Sequence, residues 1–163
     1  MIEITTATPD EAPLVYQIMQ AAFAEYVGVL QPPSGVDLET VNDVVCAMRE
    51  GGAVLAWMDG EAVGSARYSF HDEGHTCYVG RVSVLPHARG HGIASTMVTY
   101  IEGIAREKGC ESMEIMVRMN LEHNIHLYEH IGYNIAETFV HPKGGAYVAK
   151  MIKPLDGTTV KPL

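Results

Sequence analysis

Val82-Ser83-Val84-Leu85-Pro86-His87-Ala88-Arg89-Gly90-His91-Gly92-Ile93-Ala94-Ser95 is the stretch from which the fold can be read. A β-branched run stops at Pro86, a short loop carries Arg89, Gly90 and Gly92, and an apolar pattern at helical spacing follows from Ile93. A strand that turns into a helix through glycines leaves backbone N–H groups bare and lets a ligand approach the chain closely. The start of a helix adds unpaired donors and a partial positive charge, so such a corner suits an anion, phosphate foremost. The local charge has the matching sign. From Glu73 to Glu102 no Asp or Glu intervenes, while His75, Arg81, His87, Arg89 and His91 all fall there, in a chain of formal net charge −9. Steering depends on this local sign rather than on the total. Taken alone, the same residues also fit a glycine-containing loop before an ordinary amphipathic helix, because short glycine motifs match often by chance.

Outward from this corner the elements follow in both directions. The preceding strand spans about Thr76 to Leu85. The following helix places Ile93, Met97, Ile101 and Ile104 on one face and ends near Lys108, with Gly109 as its stop. Met113 to Arg118 reads as the next strand, so strand, helix and strand make a βαβ unit of expected right-handed sense. A short helix over Leu121–Ile131 is closed by Gly132. Tyr133–Val140 and Ala146–Ile152 then form a hairpin around Pro142-Lys143-Gly144-Gly145. Upstream, Ile2–Thr6 alternates as a strand, and Thr8-Pro9-Asp10-Glu11 is a capping box. Leu14, Val15, Ile18, Met19, Ala22 and Phe23 make one helical face; Pro13 sits late for that cap, which allows a start at Asp10 instead. Gly28–Gly35, with Pro32-Pro33, is loop, and a second helix runs from about Asp37 to Glu50. Ala53–Met58 and Ala62–Phe70 flank Asp59-Gly60, a hairpin signal.

At 163 residues, 47% hydrophobic and 19% charged, the chain has the make-up of one globular domain rather than a disordered segment. Residues 1–154 are assigned to that domain and 155–163 to a loose tail. The residues from Lys153 onward hold two prolines and little apolar surface. The acidic balance disfavours nucleic acid as a partner and is compatible with a cationic substrate. Cys46, Cys77 and Cys110 suggest neither a disulfide framework nor a zinc pattern, so no metal is expected. The N-terminus lacks the basic and apolar regions of a signal peptide, and no apolar run approaches the ~20 residues of a membrane span. A cytoplasmic location without membrane partners is the expectation, and the oligomeric state, a homodimer included, is left open.

The element order is thus β, α, α, β, β, β, α, β, α, β, β. With Arg89, Gly92 and Ala94 matching an Arg/Gln-x-x-Gly-x-Gly/Ala signature behind Val84-Leu85-Pro86, the chain resembles the GNAT superfamily of acetyl-CoA-dependent N-acetyltransferases. Leu127-Tyr128-Glu129-His130-Ile131-Gly132-Tyr133 matches the second signature, Leu-Tyr-Glu-x-x-Gly-Phe/Tyr. The resemblance covers the chain up to Pro154. It implies an α/β (α+β) domain with a central mixed, mostly antiparallel sheet of about seven strands flanked by about four helices. There are departures. The family often carries Asn seven residues before the tyrosine, where this chain has Leu121, with Asn120 and Asn124 nearby. It often has a carboxylate on the strand before the signature loop, and Thr76–Leu85 has none.

The resemblance further implies acetyl-CoA as co-substrate, lying between the strand ending at Val84 and the strand ending at Arg118. Backbone groups of Val82 and Val84 would pair with the pantetheine arm, and the amides of Gly90, His91, Gly92, Ile93, Ala94 and Ser95 would wrap the diphosphate. Asn124 is the asparagine assigned to the cofactor, and Arg89→Ala is expected to weaken CoA binding with little loss of stability. The acceptor would be a primary amine of a small molecule or of a peptide or protein. An alkyl amine of pKa near 10.4 is only about a thousandth neutral at pH 7.4, a handicap of roughly 4 kcal/mol, so a base or a lowered pKa is required. Tyr128 is the implied donor to the departing thiolate. Glu114, His123 and His126 are candidate bases, with Glu114 placed first. Tyr26, Ser34 and His141 are candidates to line the acceptor site. A non-catalytic acetyl-CoA sensor is the alternative. A dinucleotide motif fails because position 95 is Ser and the next strand closes with Arg118; a P-loop lacks its Gly-Lys-Ser/Thr ending.

Overall fold

A computed structural model describes residues 1–155. It holds β1 (Ile2–Thr6), α1 (Ala12–Phe23), α2 (Val41–Glu50), β2 (Gly52–Met58), β3 (Glu61–His71), β4 (Thr76–Val84), α3 (Ile93–Glu107), β5 (Ser112–Arg118), α4 (Glu122–His130), β6 (Asn134–Val140) and β7 (Tyr147–Pro154). The strands form one sheet in the order β1-β2-β3-β4-β5-β7-β6. Every neighbouring pair is antiparallel except β4 and β5, the pair joined through α3. The class, the mixed sheet and its helices are those the resemblance implied.

Helices cover both faces. Ile93, Met97, Val98, Ile101 and Ala105 of α3 pack with Val54, Ala56, Val79, Met113 and Ile115, and Ile125 and Tyr128 of α4 join the same core. Val15, Ile18 and Met19 of α1 and Val44 of α2 form a second core with Ala53 and Leu55. Successive residues of β2 therefore serve opposite cores, which is why Ala53 to Ala56 is an unbroken apolar run rather than an alternation. Asp59 and Gly60, at φ 52° and 84°, make a two-residue turn that leaves Glu61 in β3, paired with Met58.

Some boundaries differ from the expectation. The capping box at Thr8 forms, with Glu11 Oε1 accepting from the Thr8 amide at 2.9 Å. What it caps is a single 3₁₀ turn, Pro9–Glu11. The α-helix proper begins at Ala12, so Pro13 falls in the first turn, where its missing N–H costs nothing. The second helix starts at Val41 rather than Asp37, because Thr40 and Asp43 form their own capping box and Gly35–Leu38 is a separate 3₁₀ turn capped by Ser34. Lys153 and Pro154 belong to β7 rather than to a loose end. Leu155 is buried, its amide donating to Glu111 O at 2.9 Å; the remainder of the expected tail lies outside the described residues.

Candidate active site

The parallel pairing of β4 with β5 extends only from Thr76–Ser112 to Val79–Ile115. Beyond it the two strands part. β5 continues along β7 as far as Arg118, whereas β4 stays with β3 through an irregularity opposite Ser65–Arg67. Arg81 sits in that irregularity at φ 51°, a left-handed conformation costly for a non-glycine residue and typical of a bulge that re-aims a side chain. The wedge between the strands is a cleft of about 630 Å³. Val82 and Val84 form one wall, and Met116 and Arg118 form the other. Leu85 donates to Val63 O on β3, so by strand alternation the amide and carbonyl of Val84 turn toward the cleft.

At one end of the cleft lies the glycine corner. Gly90 and Gly92 hold φ 84° and 73°, which only glycine adopts without strain, and Gly92 is the residue from which α3 starts. No amide from Gly90 to Ser95 donates to a protein acceptor among the described residues. Gly92 O is used instead, accepting from Ser95 Oγ at 3.0 Å and from Thr96 Oγ1 at 2.7 Å. The result is a row of bare donors at a helix N-terminus. Gly90, Gly92, Ile93 and Ala94 line the cleft; His91 and Ser95 do not. His91 turns its Nδ1 to Ala88 O at 3.0 Å.

Arg89 lines the cleft, but its guanidinium is not free. Nε donates to Val84 O at 3.2 Å and Nη2 to Ala22 O at 3.1 Å, and Nη1 pairs with Glu25. The side chain bolts the glycine corner to the end of α1. The expectation that Arg89→Ala leaves stability almost untouched does not fit this arrangement, because α1 and the corner meet only through tertiary structure, which local sequence does not show.

Tyr128 projects from α4 into the same cleft. It is buried, its ring lies edge-on to Tyr133 at 6.1 Å, and its hydroxyl has no hydrogen-bond partner among the described residues. Burial, with Tyr78 close by, pushes its pKa above the ordinary phenol value, so it stays protonated and able to donate. Asn124 lines the cleft and Asn120 does not. Among the candidate bases, His123 reaches the cleft wall. Glu114 does not line the cleft; its carboxylate lies 3.6 Å from Lys150 Nζ. His126 lies outside as well, 3.4 Å from Glu129.

The other end is roofed by the loop after α1. Tyr26, Leu30 and Ser34 line it, while His141 does not. Arg118 holds this loop down, donating to the carbonyls of Pro32 and Pro33. Tyr78 and Arg81 complete the floor, Tyr78 laying its ring across Gly80, where a Cβ would come within 3.0 Å of it. Behind Arg81, Glu39 accepts from Arg67 at 2.6 and 3.1 Å and from Arg81 Nε at 2.6 Å. This cluster was not legible from sequence, since its members are 28 and 42 positions from Glu39. Among the described residues no group of His, Cys, Asp and Glu could hold a metal ion, and no helix is long and apolar enough to cross a membrane.

A wedge between two parallel strands, closed by a glycine corner and facing a tyrosine on the following helix, defines an acyltransferase-type cleft. Residues 15–133 match the family model described as the acetyltransferase (GNAT) family, and the chain belongs to that family, whose members take the acetyl group from acetyl-CoA. Its fold is similar to that of the ribosomal-protein-S18-alanine N-acetyltransferase of Escherichia coli, with TM-score 0.77 and 15% identity over 100% of this chain and 99% of that one. It is similar also to yncA of Salmonella typhimurium, solved with its cofactor acetyl-CoA, with TM-score 0.76 and 15% identity over 98% and 96%. An acetyltransferase of Pectobacterium atrosepticum is 30% identical over 84 residues, 52% of this chain and 58% of that protein. The matched region thus spans less than two thirds of that relative.

Proposed function

We propose that the chain transfers an acetyl group from acetyl-CoA to the primary amine of a small molecule or peptide by direct attack. The amine nitrogen adds to the thioester carbonyl, the new C–N bond forms, and the C–S bond breaks to release CoA as a thiolate. Tyr128 gives that thiolate its proton, and the nitrogen sheds one of its own. The diphosphate of CoA is seated on the amides from Gly90 to Ser95, where charge-assisted hydrogen bonds contribute roughly 1.5–3 kcal/mol each. The pantetheine arm runs along Val82 and Val84 as an added strand, and Asn124 faces it across the wedge. Because Val84 O already accepts from Arg89, the Val84 amide is the group left for that pairing.

Among the described residues no Asp or Glu lines the cleft, so none of them offers a carboxylate there for the proton leaving the amine. His123 is the imidazole on the wall, and imidazole is suited to proton transfer near neutrality. Arg81 and Arg118 assist in a different way: cations near an ammonium disfavour it and lower its pKa. Three free cysteines accord with a reducing, cytoplasmic setting.

The observation that carries this reading is the shared cleft: bare amides at one end and, on its wall, a tyrosine whose ring is buried and whose hydroxyl has no partner among the described residues. Calorimetric titration with CoA should show binding, and thiol release over an amine panel should show turnover. Tyr128→Phe should bind CoA as before and turn over more slowly by roughly 100-fold or more, within the 10²–10⁴-fold range of a lost general acid. Full activity in that variant removes Tyr128 from the chemistry. Binding without thiol release from any amine would favour a sensor.

A further inference from the structure

We infer that the acceptor is a primary amine bearing its own anionic group, a carboxylate or phosphonate, which Arg81 and Arg118 receive at the end of the cleft roofed by the loop after α1. The inference rests on the acetyl-transfer reading above and names the substrate class for it.

The first ground is a charge count along the cleft. Arg81, Arg89 and Arg118 line it and, among the described residues, no carboxylate does, within a protein of formal net charge −9. Arg89 is matched by Glu25 and stands at the glycine corner. At the acceptor end, Glu39 is shared by two guanidinium groups, those of Arg67 and Arg81. Arg118 touches only the neutral carbonyls of Pro32 and Pro33 and has no carboxylate partner among the described residues. Arg67 and Arg81 also face a neighbouring cavity lined by Glu50, so two carboxylates stand against three guanidinium groups and one positive charge is left uncompensated.

The second ground is orientation. Glu39 accepts from Arg81 through Nε, and neither terminal nitrogen of Arg81 has a hydrogen-bond acceptor among the described residues. The left-handed backbone at Arg81 is what a bulge adopts to aim a side chain, and it persists only where its surroundings enforce it. A fixed guanidinium with free terminal nitrogens is the geometry that binds a planar carboxylate or a phosphonate through two hydrogen bonds. Ser34 and the Tyr78 hydroxyl are further donors on the same wall.

The diphosphate of CoA does not explain these charges. Arg81 lies three residues up β4 from Val84, about 10 Å at strand spacing, and the glycine corner lies further on still. Nor does a polycationic acceptor fit, since it would bring more positive charge to a wall that already carries an excess.

The test uses the whole chain saturated with CoA. Free amino acids and 2-aminoethylphosphonate are titrated in by calorimetry, each amino acid beside its own amide, with spermidine as the cationic arm. Thiol release from acetyl-CoA is measured on the same set. At least one acid should bind tenfold or more tightly than its amide, and preference for carboxylate or phosphonate reports which anion the site takes. Arg118→Gln and Arg81→Gln should each shrink the acid-to-amide ratio toward one, while CoA affinity stays within about twofold. Amides or spermidine binding as well as the acids would overturn the inference. So would a preference for acids that survives both substitutions, or CoA-loaded protein that gives no heat with any acid. Failure to bind CoA at all is a separate outcome: it refutes the acetyl-transfer reading and takes this inference with it.

Discussion

The guanidinium of Arg89 distinguishes two accounts of how the glycine corner holds a diphosphate. In one, the arginine is the anion-binding group. In the other, it braces the corner while backbone amides bind. The structure supports the brace: Nε on Val84 O at 3.2 Å, Nη2 on Ala22 O at 3.1 Å, and an ion pair with Glu25. Ala22 O is among the last carbonyls of α1, where a cation also meets the negative end of the helix dipole. Hydrogen bonds from a charged donor contribute about 1.5–3 kcal/mol each when well buried. The Arg89 side chain is 43% exposed and Glu25 47%, so the two bonds are discounted by about half and the ion pair adds at most about 1 kcal/mol. Arg89→Ala should therefore cost about 2–3 kcal/mol of stability. For a domain of this size that lowers Tm by roughly 4–12 °C. The amides remain, so CoA affinity should fall by about tenfold or less. Glu25→Ala, which removes only the ion pair, should cost no more than about 1 kcal/mol and leave CoA affinity unchanged. Scanning calorimetry and CoA titration on the two variants decide the matter. An Arg89→Ala protein that melts with the wild type yet binds CoA a hundredfold more weakly would refute the brace and put the guanidinium on the phosphate.

The other expectations concern parts of the fold that hold the cleft open. Glu102 of α3 is 1% exposed and accepts from Tyr133 Oη and Lys153 Nζ, both at 2.9 Å; Glu102→Ala should strand Lys153 and cost about 3–5 kcal/mol in denaturant unfolding. Tyr133→Phe should lose about 1.5–3 kcal/mol, and an equal loss in both variants would show that the carboxylate is not the centre of the cluster. Burial pushes the Cys77 thiol up to about 12 and that of Cys110 upward, while Cys46 is exposed, so a thiol reagent at pH 8 should modify one cysteine in the native protein and three after denaturation. Burial alone would raise the Glu39 carboxyl, but Arg67 and Arg81 outweigh it and hold it below its ordinary 4.5. Its stabilising effect is therefore complete above that value and lost as pH falls through the depressed one, so Glu39→Gln should flatten the acid limb of the stability profile. An unchanged acid limb would remove Glu39 from that role.

Sequence was informative here wherever the physics is local. A glycine corner, a capping box and an Asp-Gly turn each act within a few residues, and each formed where the residues put it. The helical stripe of α3 and the apolar run of β2 declared which surfaces would be buried. What stayed hidden depends on contacts between distant segments. Nothing near Arg89 announces that Ala22 and Glu25 will accept from it, and nothing near Glu114 announces Lys150 on the neighbouring strand.

The sign of the acceptor end shows the same divide most sharply. An overall charge of −9 is compatible with a cationic substrate, yet the cleft wall carries arginines and, among the described residues, no carboxylate. Total charge reports on the solvated surface, where most ionisable groups lie, whereas a binding site samples the few groups that folding turns inward. Arg118 was visible only as the residue closing a strand. Its meaning comes from the register that sets it against Val148 on one side and leaves the other side open to the wedge, with the carbonyls of Pro32 and Pro33 above it. A sheet that splits at Val79 and Ile115 makes two edges out of one interior, and residues that would otherwise be buried partners in a ladder become the walls of a site. The bulge at Arg81 lies two residues beyond that split, so the same stretch of β4 that leaves its neighbour also carries the arginine to which the anionic group of the acceptor is assigned in the proposal above.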